Sequence, residues 1–383
     1  MSHFEEQMMA GHRVDVAAYY FGNYHREPRN EEHHGTGWTE WDLVRAGTPR
    51  FEGHQQPLEP LWGYADDCDP VAAEREFAAA TAAGIDAFLV DWYWYEGKPF
   101  LQRPLDEVIL PSTSPLRFAL MWANHDWLDI FPAPDEREPQ LLMSARVEPA
   151  EFVAITDRII EEYMTSPRYW RVDGAAYFSF FQVTTLLRWW GGVDATRAIL
   201  DGFRARARDA GIGDLHFAAV SNEFHQLDES SRIAFDALRD VGIDSVNDYN
   251  WNTLLGRETP SITYSEWYRR ARAEWGRHIE RYGDLFAPNV SVGWDSTPRT
   301  PPNTPVRAAN FPFAPVVTPS SPAELTDAMQ RAMDLASEPG RPPYVSLNAW
   351  NEWTEGSMLL PDVRNGTDRL DAIERATRTH REG

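Results

Sequence analysis

The segment Asn348-Ala349-Trp350-Asn351-Glu352-Trp353-Thr354-Glu355-Gly356, late in a chain of 383 residues, sets two carboxyl groups three positions apart beside two indoles. On an extended chain, residues three apart point to opposite faces. On a helical turn their Cβ atoms come within about 5–6 Å, near the carboxyl separation of about 5–5.5 Å that retaining glycosidases use. Desolvation of Glu352 between Trp350 and Trp353 would raise a carboxyl pKa until it holds a proton near neutrality. One group could then serve as acid while the other serves as base. The plainer use of the same residues is a helix cap at Glu352 and a solvated Glu355.

Similar mixtures of acid, amide and aromatic groups recur at Tyr20, Asp91 and Trp94, at Trp122-Ala123-Asn124-His125, at Glu223, at Asp248 and at Trp294-Asp295. Trp38, Glu40 and Trp41 form a further cluster, and Trp350 and Asn351 flank the carboxyl pair. Such polar groups take hydroxyl hydrogen bonds while aromatic faces cover C–H surfaces, which suits a polyhydroxylated ligand. All these residues are therefore candidate substrate contacts.

Other chemistries have weaker seats. His25, His33, His34 and His54 share one stretch, but no HExxH or close His-carboxylate spacing accompanies them, so no metal site is expected. Asp67-x-Asp69 has the spacing of the acidic pair that holds a metal-bound nucleotide sugar in some glycosyltransferases, although Asp69 before Pro70 reads better as a helix N-cap. There is no Walker loop, no GxGxxG between strand and helix, and no GxSxG elbow. No cofactor is expected, and an α/β-hydrolase is disfavoured.

Eight short apolar runs, at 14–20, 85–91, 117–122, 175–181, 215–221, 244–250, 289–294 and 344–350, could position these groups as buried parallel strands. Helical patterns occupy 70–83, 149–164, 194–210, 231–241, 265–282, 322–337 and 368–381. Three helix ends repeat one device, Gly84-Ile85, Gly211-Ile212 and Gly242-Ile243, in which a left-handed glycine stops the helix and an isoleucine starts the strand. Helix-to-strand links are short, whereas the strand-to-helix loops 21–68, 123–148, 251–264, 295–321 and 351–367 are long. That asymmetry predicts a (β/α)8 TIM barrel with its long loops gathered on the C-terminal face, where such barrels build active sites. No Gly- or Ser-rich linker divides the chain, so residues 1–383 read as a single domain, with 1–12 a flexible N-terminal extension. The proline cluster at 298–322 reads as a stiff surface excursion.

Composition narrows the partners. Lys plus Arg is 36 against 59 Asp plus Glu, a formal net charge of −23. Such a surface repels phosphate backbones and anionic lipid, which argues against nucleic-acid and membrane-surface partners. Cys68 is the sole cysteine, so no intrachain disulfide can form. No run approaches the roughly 18 apolar residues of a membrane span, and the N-terminus lacks a signal-peptide pattern. A cytoplasmic protein is the expectation. Many of the 16 tryptophans fall beside strand ends, as expected of platforms for sugar rings.

The chain resembles the WbsX family, a branch similar to glycoside hydrolase family 99. The resemblance is carried by Gly37-Trp38-Thr39-Glu40-Trp41, by Phe51-Glu52-Gly53-His54-Gln55-Gln56-Pro57, by Lys98-Pro99-Phe100-Leu101-Gln102-Arg103-Pro104-Leu105-Asp106, by Gly293-Trp294-Asp295-Ser296-Thr297-Pro298-Arg299 and by the Asn348–Gly356 segment. It implies a (β/α)8 barrel acting on glycans, with α-mannoside-type retaining cleavage through a 1,2-anhydro sugar. By motif position Glu352 would deprotonate the sugar 2-hydroxyl, and Glu355 would protonate the leaving oxygen and then activate water. Where WbsX-like chains read Asn-Glu-Asn-Trp after the third strand, this one has Asn124-His125-Asp126-Trp127. The expected function is glycosidic-bond cleavage of an oligosaccharide or glycoside. Alternatives are a glycosyltransferase of surface polysaccharide, a non-catalytic carbohydrate-binding barrel and, among hydrolases, a conventional retaining pair of Glu223 with Glu352.

Overall fold

Near-continuous apolar runs need cover on both faces, and the chain supplies it by following most strands with a helix. The computed structural model describes residues 13–135, 137–221, 237–256, 258–307, 309 and 311–382. Eight parallel strands line up as β1 (Asp15–Tyr20), β2 (Ala87–Tyr95), β3 (Arg117–Trp122), β4 (Ala175–Phe180), β5 (Leu215–Val220), β6 (Ser245–Asn247), β7 (Asn289–Ser291) and β8 (Tyr344–Asn348). Their spatial order is β6-β5-β4-β3-β2-β1-β8-β7. The ends of that row meet through one bridge, Val246 to Phe286, with Ala287 N–H donating to Val246 O at 2.8 Å. The result is the expected (β/α)8 TIM barrel, nearly closed.

All eight anticipated strands are present. The main helices are α1 (Pro70–Ala82), α2 (Pro149–Ile159), α3 (Val193–Asp209), α4 (Tyr264–Tyr282), α5 (Pro322–Ala336) and α6 (Asp368–Glu382). Asp69 caps α1 by accepting from Val71 N–H at 2.9 Å, with Pro70 in the first turn. Ser321 and Glu324 form a reciprocal capping box on α5. Gly84, Gly211 and Gly242 have φ of +83°, +79° and +91°, so the repeated junction is one backbone device used three times.

Two expectations change. β2 runs on to Tyr95 because Tyr93–Tyr95 fold back against Lys98–Phe100 in an antiparallel hairpin. The start of the proline-rich stretch is no surface excursion, since Thr297, Pro298, Arg299 and Thr300 are all buried. Inside the barrel, polar side chains from four strands interlock. Asn247 donates to Tyr19 Oη at 2.7 Å and Ser346 Oγ at 3.0 Å, and Asn289 donates to Ser346 Oγ at 3.1 Å. The extension at residues 1–12 lies outside the described residues. Among the described residues no helix is long and apolar enough to cross a membrane.

Candidate active site

The chain leaving β8 pairs Asn351–Glu352 with Ser357–Met358, then makes one 3-10 turn over Trp353–Glu355. Glu352 makes no capping hydrogen bond to that turn, so its carboxyl is committed elsewhere. Gly356 closes the turn at φ +62°, and a Cβ there would stand 2.9 Å from Asp295 N. Only glycine lets the turn press this closely onto the end of β7. Asp295 N–H completes the contact by donating to Glu355 O at 2.6 Å. From the other side Tyr24 Oη accepts from Trp353 N–H at 2.9 Å, and Asn351 both accepts from Phe21 N–H and donates to Phe21 O at 2.8 Å.

This turn brings both glutamates to one guanidinium. Arg299 Nη2 lies 2.8 Å from Glu352 Oε1 and 3.3 Å from Glu40 Oε1, and Arg299 Nε lies 3.7 Å from Glu355 Oε1. Arg299 Nε also donates to Thr354 Oγ1 at 3.0 Å. Glu352 is 2% exposed and Glu355 9%. Burial, reinforced by Glu355, raises the Glu352 carboxyl well above its ordinary range against the pull of Arg299. Burial raises Glu355 in the same way, with Arg299 again opposing. Two carboxyls that discourage each other's ionisation titrate as a pair, and the closer contact of Arg299 with Glu352 than with Glu355 favours the negative charge on Glu352. Burial alone would lower the Arg299 pKa, but Glu40, Glu355 and Glu352 outweigh it and keep the guanidinium charged.

Asp91, midway along β2, accepts from Tyr249 Oη at 3.0 Å, and its buried Oδ1 has no hydrogen-bond partner among the described residues. Burial raises its carboxyl well above the ordinary range, opposed by the Tyr249 hydrogen bond and reinforced by Glu355. His125 packs edge-on to Tyr93 and tilted against Phe181, with ring centroids 5.9 and 5.2 Å away, and burial lowers its pKa. Trp38 stands half-buried 4.4 Å from the His34 ring. Asp91, Tyr93, Tyr249 and His125 thus gather around the glutamates and Arg299, while Trp38 packs against His34 and Phe131.

Other anticipated contacts have different duties. Asn124 locks two loops by donating to Gln182 O and accepting from Gln182 N–H, both at 2.8 Å. Asp295 is an anchor: His54 and Gln56 reach it at 2.8 and 2.6 Å, and Thr297 Oγ1 at 2.6 Å. Burial alone would raise the Asp295 carboxyl, yet those bonds hold it below its ordinary value. Asp248 accepts from Ser221 Oγ and lies 3.2 Å from His278 Nε2. Glu40 is fully buried, held by Asn23 and Thr354 at 2.7 Å each. Trp41 donates to Ala65 O at 2.7 Å and packs 5.7 Å from Trp353, behind the turn.

Four anticipated contacts face the helical layer instead of the barrel mouth. Trp94 donates to Glu151 of α2 at 2.7 Å, and Trp122 stacks on Phe152 of α2 at 5.5 Å. Trp350 donates to Glu76 of α1 at 2.9 Å, and Tyr20 packs on Phe88 at 5.3 Å. Trp294 is buried beside Phe311, with 6.1 Å between centroids. Of the 16 tryptophans only Trp38, Trp62 and Trp189 are more than marginally exposed, so the indole-rich composition chiefly builds the barrel and its loops. Glu223 lies outside the described residues. Asp67 accepts from Tyr24 N–H at 2.8 Å and Asp69 caps α1, which gives both members of the acidic pair a structural role. Among the described residues no group of three or more His, Cys, Asp or Glu is placed to hold a metal ion. A cleft lined by Trp41, Trp62, Asp67, Arg75, Glu76 and Trp353 opens behind the turn, and neither catalytic-pair candidate lines it.

The residues missed from sequence are Arg299, Tyr93, Tyr249 and Phe181. Arg299 closes the Gly293–Arg299 motif, and its place in that motif, among prolines and threonines, was the available signal.

Comparison with known proteins adds the relationships. Residues 16–373 match the family described as glycosyltransferase WbsX. The WxcX protein of Xanthomonas campestris pv. campestris is 29% identical over 384 residues, covering 94% of this chain and 49% of that protein. The chain thus spans about half the length of the curated relatives it matches. The GH99 endo-alpha-mannosidase of Bacteroides thetaiotaomicron superposes with a TM-score of 0.55 at 16% identity, over 96% of this chain and 98% of that one. A solved glycoside hydrolase-like protein gives 0.60 at 14% identity, over 95% and 94%. At these identities the likeness is one of fold.

Proposed function

The chain belongs to the WbsX family, and from that premise we propose that it cleaves a glycosidic bond with Glu352 and Glu355 as its acid–base pair. The observation that carries this reading is two buried carboxyls on one tight turn at the C-terminal end of β8, sharing one guanidinium. In the retaining α-mannoside-type scheme, Glu352 takes the proton of the sugar 2-hydroxyl as its oxygen attacks the anomeric carbon. Glu355 gives a proton to the departing oxygen, so both bonds change without charge build-up on the leaving group. Water, deprotonated by Glu355, then opens the 1,2-anhydro sugar and returns the proton to the 2-oxygen through Glu352. The internal nucleophile is already in place, so proximity lowers the barrier. The turn's seat at the mouth of a TIM barrel supports this use, and an oligosaccharide or glycoside is the proposed substrate.

The test is replacement of each glutamate by glutamine, assayed on a glycan panel that includes α-mannosides. Each variant is expected to keep its fold and most glycan affinity while losing at least about a hundredfold in kcat, the usual scale of acid–base contributions. Full activity in both variants would sink the assignment. The family description favours one second reading, glycosyl transfer from an activated donor. Calorimetry with nucleoside diphosphates and manganese separates the two, because saturable binding supports transfer.

A further inference from the structure

The described site holds four buried carboxyls, Glu40, Asp91, Glu352 and Glu355, and one guanidinium among them. Arg299 is 5% exposed on its side chain, and Phe21, Phe131 and Phe311 ring it at 5.7, 5.1 and 5.8 Å from the guanidinium carbon. A charge so enclosed stays in place only if every donor finds an acceptor. Its Nε and Nη2 find theirs in Thr354, Glu352 and Glu40, and a polar chain continues behind Glu40. Asn30 donates to Asn23 Oδ1 at 2.7 Å, and Asn23 donates to Glu40 Oε2 at 2.7 Å. Thr354 donates to Glu40 Oε1 at 2.7 Å and accepts from Arg299 Nε at 3.0 Å. Arg299 Nη2 then reaches Glu352 at 2.8 Å.

Resting on the reading of Glu352 and Glu355 as the catalytic pair, we propose that Arg299 is its positioning residue, aimed by Glu40, and that these two opposite charges together set how readily the pair ionises. Arg299 fixes Glu352 by a direct charged hydrogen bond and stabilises negative charge on the pair. Glu40 does the reverse through space, since its charge opposes ionisation of Glu352 and Glu355. The other ionisable groups facing the pair are Asp91 from β2, the phenols of Tyr24, Tyr93 and Tyr249, and the imidazole of His125. Of these, the imidazole and the phenols are neutral near pH 7, because burial lowers the first and raises the others. The two variants must therefore move the pair in opposite directions, an outcome that simple loosening of the site would not give.

The experiment is a pH titration of protein labelled with 13C at the glutamate carboxyls, with the Glu352 and Glu355 resonances assigned by their loss in E352Q and E355Q. Glu40→Gln is expected to lower the first apparent pKa of the pair by about one unit, and Arg299→Met to raise it by about one to two, the usual effect of one charge at such distances. Arg299→Lys, which keeps the charge but not the planar fork, should stay within about half a unit of the parent yet lose about tenfold or more in kcat/KM. Shifts of the same sign in Glu40→Gln and Arg299→Met, or none in Glu40→Gln, overturn the proposal. If Arg299→Met does not fold, Glu40→Gln and Arg299→Lys decide the matter. The titration needs no turnover, so a parent protein inactive on every glycan would reject the glycosidase reading while these shifts still judge the electrostatic one.

Discussion

At the residue scale, Asp91 offers a direct test of what burial does to a carboxyl. Its Oδ2 accepts from Tyr249, its Oδ1 has no partner among the described residues, and burial raises its pKa well above the ordinary range. A neutral carboxyl and an amide have nearly the same shape and hydrogen-bonding reach. Asp91→Asn is therefore expected to change stability by less than about 1 kcal/mol, while Asp91→Ala strips the Tyr249 hydroxyl of this acceptor at a cost of about 1–3 kcal/mol. Urea denaturation at pH 7 checks both, and equal losses would mean that Asp91 carries its charge. The sequence made this acid visible because it closes an apolar strand ahead of four aromatic residues. It also marked Glu352 and Glu355, whose spacing brings the carboxyls together only where the chain turns, as it does here. Arg299 stayed hidden for a physical reason: its meaning comes from Glu40, Glu352 and Glu355, which reach it from two other segments of the chain. The same limit applies to the tryptophans, since an indole at a strand end can face either the mouth or the helices, and tertiary packing alone decides between them.

At the scale of elements, the repeated helix–Gly–Ile–strand junction was legible because it depends on local backbone geometry. What surrounds each copy was not. A Cβ on Gly84 would lie 2.4 Å from Thr377 Oγ1 and 2.9 Å from Thr377 Cβ, on α6, whereas one on Gly211 meets nothing within 4 Å. Both residues have positive φ, so alanine at either one costs the left-handed strain of about 1–2 kcal/mol. Gly84→Ala must also push α6 away from α1, so we expect it to lose about 1–3 kcal/mol more than Gly211→Ala. Chemical denaturation of the two variants side by side measures that difference, and equal losses would show that the α1–α6 contact yields freely. Long-range packing also explains the two expectations that changed. The hairpin extending β2 depends on partner residues beyond it. The buried start of the proline-rich stretch depends on Arg50, which donates to Pro301 O and Thr304 O, and on Glu352 and Thr354 after β8, which accept from Arg299.

For the whole molecule, the net charge of −23 was plain from composition, but its consequence for stability turns on which acids are buried. Glu76 is half-buried on α1, accepts from the Trp350 indole, and is pushed up to about 7 by burial. A carboxyl whose folded pKa is raised contributes stability that is fully present below its unfolded value of 4.5 and is lost as pH rises through about 7. Glu40, Asp91, Glu352 and Glu355 are raised too and act with the same sign. His25 and His216, lowered by burial to about 4, act oppositely: their stability is present above 6.5 and lost as pH falls through about 4. The two groups of residues oppose each other between pH 4.5 and 6.5. Above that window His25 and His216 no longer change state, and the raised carboxyls make stability fall with pH, joined by His278, whose pKa burial would lower but Asp248 raises. Glu76→Gln keeps an oxygen for the Trp350 N–H while removing the charge. The variant's melting temperature relative to the parent should therefore climb from pH 5 to pH 8, by the equivalent of at most about 3 kcal/mol and less where water reaches the carboxyl. A calorimetric series across that range provides the measurement. A difference that stays flat with pH would show that Glu76 ionises normally and that the downward slope belongs to the carboxyls in the barrel mouth.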